Sequence, residues 1–174
     1  MLTLQAQAGL VILVILNNSQ LIKISNPQRG DVVVFRYPLD PSTPFIKRVI
    51  GLPGDSIRVD NKHVYVNGKE VVWQNEKTYI GVQSAARHTG SKVHQELTGE
   101  QLHQVLISSD RYATGGDFNV PCAHYFVLGD NRDNSRDSRF WGFVPKENLM
   151  GKAFYIWFNW DGGPNFSRAG RHIE

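Results

Sequence analysis

Short apolar segments separated by turn signals follow one another through much of this chain of 174 residues. Residues 31–37 (DVVVFRY) and 45–51 (FIKRVIG) are rich in β-branched and aromatic side chains, which favour strands. The sequence LPGD at residues 52–55 has the residue order of a type II turn, and Asn67-Gly68 is a strong hairpin signal. The polar segment 39–44 (LDPSTP) predicts a loop. This pattern predicts a mainly β fold with antiparallel strands.

The composition changes between residues 74 and 124. This segment is polar, contains few large apolar side chains and is rich in Gly, Ser, Thr and His. Strand signals resume after it and continue towards the end of the chain. We therefore expect one domain (residues 1–174) in which an irregular lobe at about 74–124 is inserted between two core segments, at about 26–73 and 125–174.

One helix is expected inside the lobe. Thr98 and Gln101 have the spacing of a capping box, in which each side chain reaches the backbone N–H of the other residue. Leu102, Val105 and Leu106 follow at the spacing of one helical face. The pattern predicts a short helix that starts near Thr98, and the alternative is a long irregular excursion.

Composition excludes several classes of function. The net charge is only +3 and the basic residues are scattered, so no stripe marks a nucleic-acid interface. Cys122 is the only cysteine, which excludes an internal disulfide, and the histidines have no zinc-site spacing. The apolar run 10–16 is far shorter than the roughly 20 residues of a membrane-spanning helix, and its Val and Ile content favours a strand. No cofactor or metal is expected.

A densely charged segment lies between two apolar ones. Residues 129–139 read GDNRDNSRDSR and contain three carboxylates, three guanidiniums and two hydroxyls. Because YFVL precedes this run and FWGFV follows it, its flanks are expected to be buried, and its charges must pair or line a site. The alternative is a solvated loop with weak surface ion pairs. A calcium loop is disfavoured, because the expected Gly is replaced by Ser138 and the closing Glu is missing.

Two cations occupy the middle of a predicted strand. Alternation places Phe45, Lys47 and Val49 on one face, whereas Arg48 lies on the other. If both faces are covered, burial lowers the pKa of the lysine, which can then act as a general base near neutral pH. Arg48 does not deprotonate and is expected to pair with a carboxylate. The alternative is an edge strand whose lysine reaches solvent.

Taken together and in this order, these segments resemble bacterial signal peptidase I. The resemblance covers roughly residues 26–173 and is weakest in the lobe. It is carried by the segments RGDVVVF at 29–35, KRVIGLPGD at 47–55, GDNRDNSRDSR at 129–139, FWGFVP at 140–145 and SR at 167–168. The resemblance implies a Ser-Lys serine endopeptidase that removes signal peptides from exported preproteins.

The family resemblance also implies roles for single residues. Lys47 corresponds to the general base, and Ser135 to the serine that orients its amine. Asp137 and Arg139 correspond to a supporting ion pair, with Asp130 nearby. Substrates are expected to bind as extended strands with small residues near the cut. The resemblance further implies contact with lipid at the outer, periplasmic face of the bacterial inner membrane, with the anchoring helices not present in this sequence.

The attacking residue of the family has no counterpart in this sequence. The family motif Ser-x-Ser-Met-x-Pro-Thr carries the nucleophile as its second Ser, whereas residues 1–5 (MLTLQ) resemble the motif only from its Met onward. No motif surrounds Ser19 or Ser25, which are expected to be loop residues. We therefore expect this polypeptide to be inactive as written. The alternatives are a non-catalytic relative that binds extended peptides and an unrelated β-rich structural protein.

Overall fold

The computed structural model describes residues 10–14, 26–108, 114–160 and 164–165. The predictions made for residues 1–5, for Ser19 and Ser25 and for residues 167–168 lie outside these ranges. Within them strands dominate, and the only α-helix described is a single turn, α1 (Ser138–Trp141). Short 3-10 turns occur at Gln83–His88, Arg132–Asn134 and Lys146–Asn148.

Fourteen strands are described, and they form three sheets. The largest sheet has the spatial order β1 (Leu10–Val14), β13 (Leu149–Trp160), β2 (Val32–Tyr37), β3 (Asp40–Gly51), β11 (His124–Leu128) and β12 (Val144–Pro145), with β14 (Pro164–Asn165) paired to β13. The second has the order β10 (Gly116–Asn119), β4 (Ser56–Asp60), β5 (His63–Val66) and β6 (Lys69–Glu70). The third has the order β7 (Trp73–Thr78), β8 (Lys92–Thr98) and β9 (Gln101–Ile107).

Neighbouring strands pair antiparallel in all three sheets. The prediction of a mainly β, antiparallel fold is therefore confirmed. The strand predicted within the apolar run 10–16 is also present, as β1 at the edge of the largest sheet. Among the described residues, no helix combines the length and the apolar character needed to cross a membrane.

The two predicted turns have the backbone conformations that their residues favour. Asn67 and Gly68 both have positive φ, 51° and 77°, as a two-residue type I′ hairpin turn between β5 and β6 requires. Gly54 has φ 89°, and the N–H of Asp55 donates to the carbonyl of Leu52 at 3.0 Å. Local sequence alone is sufficient for these turns.

The loop predicted over residues 39–44 is wrong, because β3 already begins at Asp40. The chain reverses in a two-residue turn at Pro38 and Leu39, and β2 then pairs along its whole length with residues 40–48 of β3. The prolines are tolerated because this end of the hairpin is mostly exposed and its register shifts between Arg36 and Tyr37.

The helix predicted near Thr98 is also wrong. Residues 92–107 form the β8–β9 hairpin, with Leu97 opposite Leu102 and Gly99 in the turn at φ 65°. The buried residues of β9 are His103, Val105 and Ile107, which is the alternation of a strand and not the spacing of a helix. The segment 74–124 is thus more regular than the sequence predicted, whereas the boundaries of the lobe stay a prediction.

Both faces of β3 and β11 are covered. Val49 and Val127 pack with Val33 and Phe35 in one apolar cluster. Their sequence neighbours Ile50, Phe126 and Leu128 lie on the other side of the sheet, in a second apolar cluster. The other members of that cluster are Ile57, Val59, Val64, Val71 and Val120. Because both faces are covered, every residue in the second half of β3, from 46 to 51, is buried, whichever face its side chain occupies.

Candidate active site

Lys47 lies in the middle of the largest sheet. It occupies β3 opposite Val33 of β2, its exposed fraction is 3 %, and its Nζ is 5.7 Å from the centre of the Phe45 ring. Burial is the main influence on its pKa, and it outweighs the opposing charges of Asp137 and Asp130. The pKa is lowered from 10.5 to about 8. The interpretation of Lys47 as an edge-strand lysine in solvent is therefore excluded.

Gly129 brings a hydroxyl and this amine to the same small space. It directly follows β11, whose last residue, Leu128, pairs with Arg48 of β3. A Cβ atom placed on Gly129 would lie 2.2 Å from Ser135 Oγ and 3.7 Å from Lys47 Nζ. Ser135 is buried, and its Oγ has no hydrogen-bond partner among the described residues. The absence of a side chain at Gly129 is thus what lets Ser135 approach Lys47.

Asp137 fixes both ends of the loop around this space. Its carboxylate is fully buried and accepts hydrogen bonds from Arg139 Nε and Nη2, both at 2.8 Å. It also accepts from the N–H of Gly129 at 3.0 Å. Its side chain further caps α1 by accepting from the N–H of Arg139. Of the nearby charges, that of Asp137 has the largest effect in raising the pKa of Lys47.

The pairing of Arg48 with a carboxylate is confirmed, and its partner is Asp130. Arg48 Nε and Nη2 donate to the two oxygens of Asp130, each at 2.9 Å, in the bidentate geometry that favours Arg over Lys. Arg48 Nη1 also donates to the carbonyl of Gly30 at 2.8 Å. Burial is the largest single influence on the pKa of Asp130 and raises it, but the charge and hydrogen bonds of Arg48, with smaller contributions from His103 and Arg132, together outweigh burial and lower the pKa. One ion pair thus joins the start of the loop to β3.

The loop 129–139 is mostly buried and is not the solvated loop of the alternative interpretation. Its buried members are Gly129, Asn131, Arg132, Ser135, Asp137 and Ser138. Ser138 Oγ accepts from the N–H of Val127 at 2.9 Å, which ties α1 to β11. Among the described residues, no three His, Cys, Asp or Glu side chains form a group that could hold a metal ion.

Sequence reasoning missed two buried polar residues behind the loop, Glu96 on β8 and His103 on β9. Both are buried, and Glu96 pairs with Arg132 of the loop. Alternation in β8 places His94, Glu96 and Thr98 on one face, and that face is buried. A polar face looks solvent-exposed in the sequence, so the pattern alone gave no sign that these residues point inward.

The structure therefore brings together all the site residues that the sequence singled out: Lys47, Asp130, Ser135, Asp137 and Arg139. Comparison with known proteins gives the family. The family model described as "Signal peptidase, peptidase S26" matches residues 3–160. This chain belongs to the S26 signal peptidase family. Its membership rests on a match over most of the chain and on relatives of 40 % identity or more.

Several curated relatives of this S26 chain are named signal peptidase I. One from Pseudomonas fluorescens is 40 % identical over 171 residues, which covers 88 % of this chain and 58 % of the relative. One from Aquifex aeolicus is 41 % identical over 175 residues, covering 83 % and 68 %. One from Rickettsia typhi is 44 % identical over 142 residues, covering 76 % and 53 %. The match thus spans between 53 % and 68 % of the length of these relatives.

A solved structure is also similar to this S26 chain. It is a signal peptidase I from Enterococcus faecalis, with a TM-score of 0.48 and 30 % sequence identity. The match covers 75 % of this chain and 98 % of that one.

Proposed function

We propose that this chain provides the catalytic domain of a signal peptidase I-type serine endopeptidase, with Lys47 as the general base. The observation that carries the proposal is the burial of Lys47 beside Ser135 across Gly129. At pH 7 an amine of pKa about 8 is neutral in roughly one molecule in ten, whereas at pKa 10.5 the fraction is about one in three thousand. Burial therefore raises the supply of neutral base several-hundredfold.

In the proposed reaction, the neutral Nζ of Lys47 takes the proton of a serine hydroxyl as the oxygen attacks the scissile carbonyl. The resulting ammonium then returns a proton to the leaving amine as the scissile C–N bond breaks. A water deprotonated by Lys47 next hydrolyses the acyl-serine, which releases the acid product and regenerates the hydroxyl. Ser135 orients the Nζ from the side of Gly129, and Asp137 stabilises the ammonium form through its charge. Arg139 holds Asp137 in place with two hydrogen bonds, and Arg48 holds Asp130 in the same way.

The proposed substrates are signal peptides of exported preproteins, bound as extended strands with small residues near the cut. A strand can add to an open sheet edge through its backbone hydrogen bonds, and a fold with several sheet edges suits this mode of binding. We place the activity at the outer face of the bacterial inner membrane, in contact with lipid. The family membership supports this location, and the proposed mechanism requires no cofactor.

The attacking hydroxyl is the one group of this mechanism that has no matching residue in the sequence. A polypeptide of these 174 residues is therefore proposed to bind signal peptides without cleaving them. The test compares this polypeptide with a version that carries the family's Ser-x-Ser directly before Met1, both incubated with a purified preprotein. We expect cleavage only by the extended version. N-terminal sequencing of the product then locates the cut.

Two lysine variants of the extended version complete the test. Lys47→Ala should abolish cleavage, whereas Lys69→Ala, a change at an exposed lysine of β6, should leave it unchanged. Cleavage that survives Lys47→Ala would contradict the Ser-Lys mechanism. Cleavage by the unextended polypeptide, lost in Lys47→Ala, would show that a serine of this sequence is the nucleophile. Peptide binding by both versions without any cleavage would favour the non-catalytic relative.

A further inference from the structure

The β8–β9 hairpin packs against the loop that carries Ser135 and Asp137. The N–H of Leu106 on β9 donates to the carbonyl of Asp130 at 2.8 Å, and Leu106 forms a bridge with Asn131. Just after β9, the N–H of Ser108 donates to a carboxylate oxygen of Asp133 at 2.8 Å. The base of the hairpin is therefore hydrogen-bonded to the backbone and side chains of the loop.

The turn of the same hairpin is fitted closely to the segment before β2. A Cβ atom on Gly99 would lie 2.7 Å from the carbonyl oxygen of Arg29, and one on Gly30 would lie 2.4 Å from that of Thr98. The carbonyl of Gly30 in turn accepts from Arg48. The base of the hairpin thus contacts the backbone of Asp130, and its turn contacts Gly30, which binds Arg48. These two contacts fix the position of the hairpin relative to the site.

Between these two ends, the hairpin contributes one fully buried carboxylate. Glu96 accepts from Trp73 Nε1 at 2.9 Å and from Thr98 Oγ1 at 3.0 Å, and it pairs with Arg132 Nη2. Burial is the largest single influence on the pKa of Glu96 and raises it, but the charge of Arg132 and the hydrogen bonds from Arg132 and His103 together outweigh burial and lower the pKa far below its usual range. His103 Nε2 lies 3.5 Å from Glu96 and 4.0 Å from Asp130, so it stands between the two carboxylates.

Arg132 is the link between Glu96 and the loop. Its exposed fraction is 2 %, and its carbonyl accepts from Arg139 Nη2. Within the described part of the chain, its Nε and Nη1 have no hydrogen-bond partner, and Glu96 is the carboxylate that contacts it. Asp130 and Asp137 are the other carboxylates whose charges act on this guanidinium. They are also the two that act on Lys47.

We propose that Glu96 is a positioning residue for the Lys47 site. Its carboxylate holds and neutralises Arg132, so that Asp130 stays with Arg48 and Asp137 stays with Arg139. Their placement then fixes the loop and the electrostatic environment of the amine. The catalytic meaning of this role rests on the proposed function, but the arrangement itself can be tested without any peptidase activity.

The test is an NMR titration of the protein labelled with ¹³C at lysine Cε, with the Lys47 signal assigned by its loss in Lys47→Met. Glu96→Gln removes a negative charge, so the pKa of Lys47 should fall below its value of about 8. Arg132→Gln removes a positive charge, so the pKa should rise. Each shift is expected to be about one pH unit, the size of effect expected from one buried charge that acts without direct contact. The double variant should return the pKa to near the wild-type value.

Opposite shifts in the two single variants distinguish charge balance from mere structural support. If Glu96 only supported the packing, both variants would admit water and move the pKa in the same direction, towards 10.5, which would overturn the proposal. An unchanged pKa in both would also overturn it. If Glu96→Gln does not fold, the double variant decides: a folded protein with a near-wild-type Lys47 pKa supports charge balance, whereas a shifted or unfolded one contradicts it.

Loss of the proposed function would be seen separately. A wild-type protein in which Lys47 titrates near 8 but no version cleaves a preprotein would count against the peptidase and leave the positioning role of Glu96 standing. The opposite result is cleavage by the serine-extended version together with a Lys47 pKa that neither Glu96→Gln nor Arg132→Gln changes. It would support the peptidase and contradict the positioning role of Glu96.

Discussion

Gly129→Ala is the smallest change that tests the geometry of the site. The new Cβ atom would lie 2.2 Å from Ser135 Oγ and 2.5 Å from Ser135 Cβ. Rotation of the hydroxyl can relieve the first contact but not the second, because Cβ moves only with the backbone. Ser135 is buried in a loop whose neighbours are tied down by Asp137 and Ser138. The substitution must therefore displace the loop backbone.

The cost follows from this requirement. Overpacking a tightly packed site costs about 1–3 kcal/mol, and a forced backbone shift belongs in the upper part of that range. The lower entropy of the unfolded chain with Ala recovers roughly 0.4–1 kcal/mol. The expected net loss is about 2 kcal/mol in the free energy of unfolding. At an m-value of about 2 kcal/mol/M, the urea midpoint should fall by about 1 M.

Second-site variants of Ser135 identify the contact responsible. In the Gly129→Ala background, Ser135→Gly removes both clashing atoms and should recover most of the lost stability, compared with Ser135→Gly alone. Ser135→Ala leaves Cβ in place and should recover little. Urea unfolding followed by tryptophan fluorescence measures all five proteins. A Gly129→Ala protein with the wild-type midpoint, or equal recovery by the two second-site variants, would refute the geometric argument.

Two further predictions concern buried charges. The pKa of Lys47 is about 8 in the folded state and 10.5 when unfolded, so the unfolded state binds more protons between these pH values and stability rises with pH there. Relative to Lys47→Met, wild type should gain about 3 kcal/mol in the free energy of unfolding between pH 7 and pH 10.5. The control Lys69→Met should show the same pH dependence of stability as wild type. If Lys47→Met also showed that pH dependence, the lowered pKa would be contradicted. Asp130→Asn leaves Arg48 buried without its carboxylate and should cost about 3–5 kcal/mol at pH 7. Glu76→Gln breaks an exposed ion pair with Lys92, 2.8 Å apart, and should cost far less stability in the same denaturant assay. Equal losses in the two variants would mean that the burial of Arg48 adds nothing.

Local signals in the sequence were sufficient for much of the fold. Asn67-Gly68 and Pro53-Gly54 form the turns that their backbone preferences predict, and the run of Val residues in β2 is a buried strand. The errors arose where local preference and tertiary context disagree. Thr98 has the residue type and spacing of a helix cap, but Gly99 allows a tight turn, and β8 pairs with β7 along one edge and with β9 along the other.

The site was predictable in part, for a similar reason. Charged residues interrupt apolar strand segments at Lys47, Arg48 and the loop 129–139, which is unusual. The sequence alone therefore indicated them as candidate site residues. Glu96 lies in a polar segment where one more carboxylate is ordinary. Its burial depends on the docking of the β8–β9 hairpin against the loop, which is a contact between distant parts of the chain. The same holds for Gly129, whose importance lies in an atom that it lacks.

The ion pairs around Lys47 also bear on when the amine becomes reactive. Arg48 and Asp130 are 82 residues apart in sequence, and Glu96 and Arg132 are 36 apart. Contacts over such separations require closure of long loops and form late relative to local turns. Until then Lys47 is hydrated, has an ordinary pKa of 10.5 and stays protonated at neutral pH. Folding is therefore the step that lowers the pKa of this amine, and a chain that has not yet folded holds Lys47 as a hydrated ammonium.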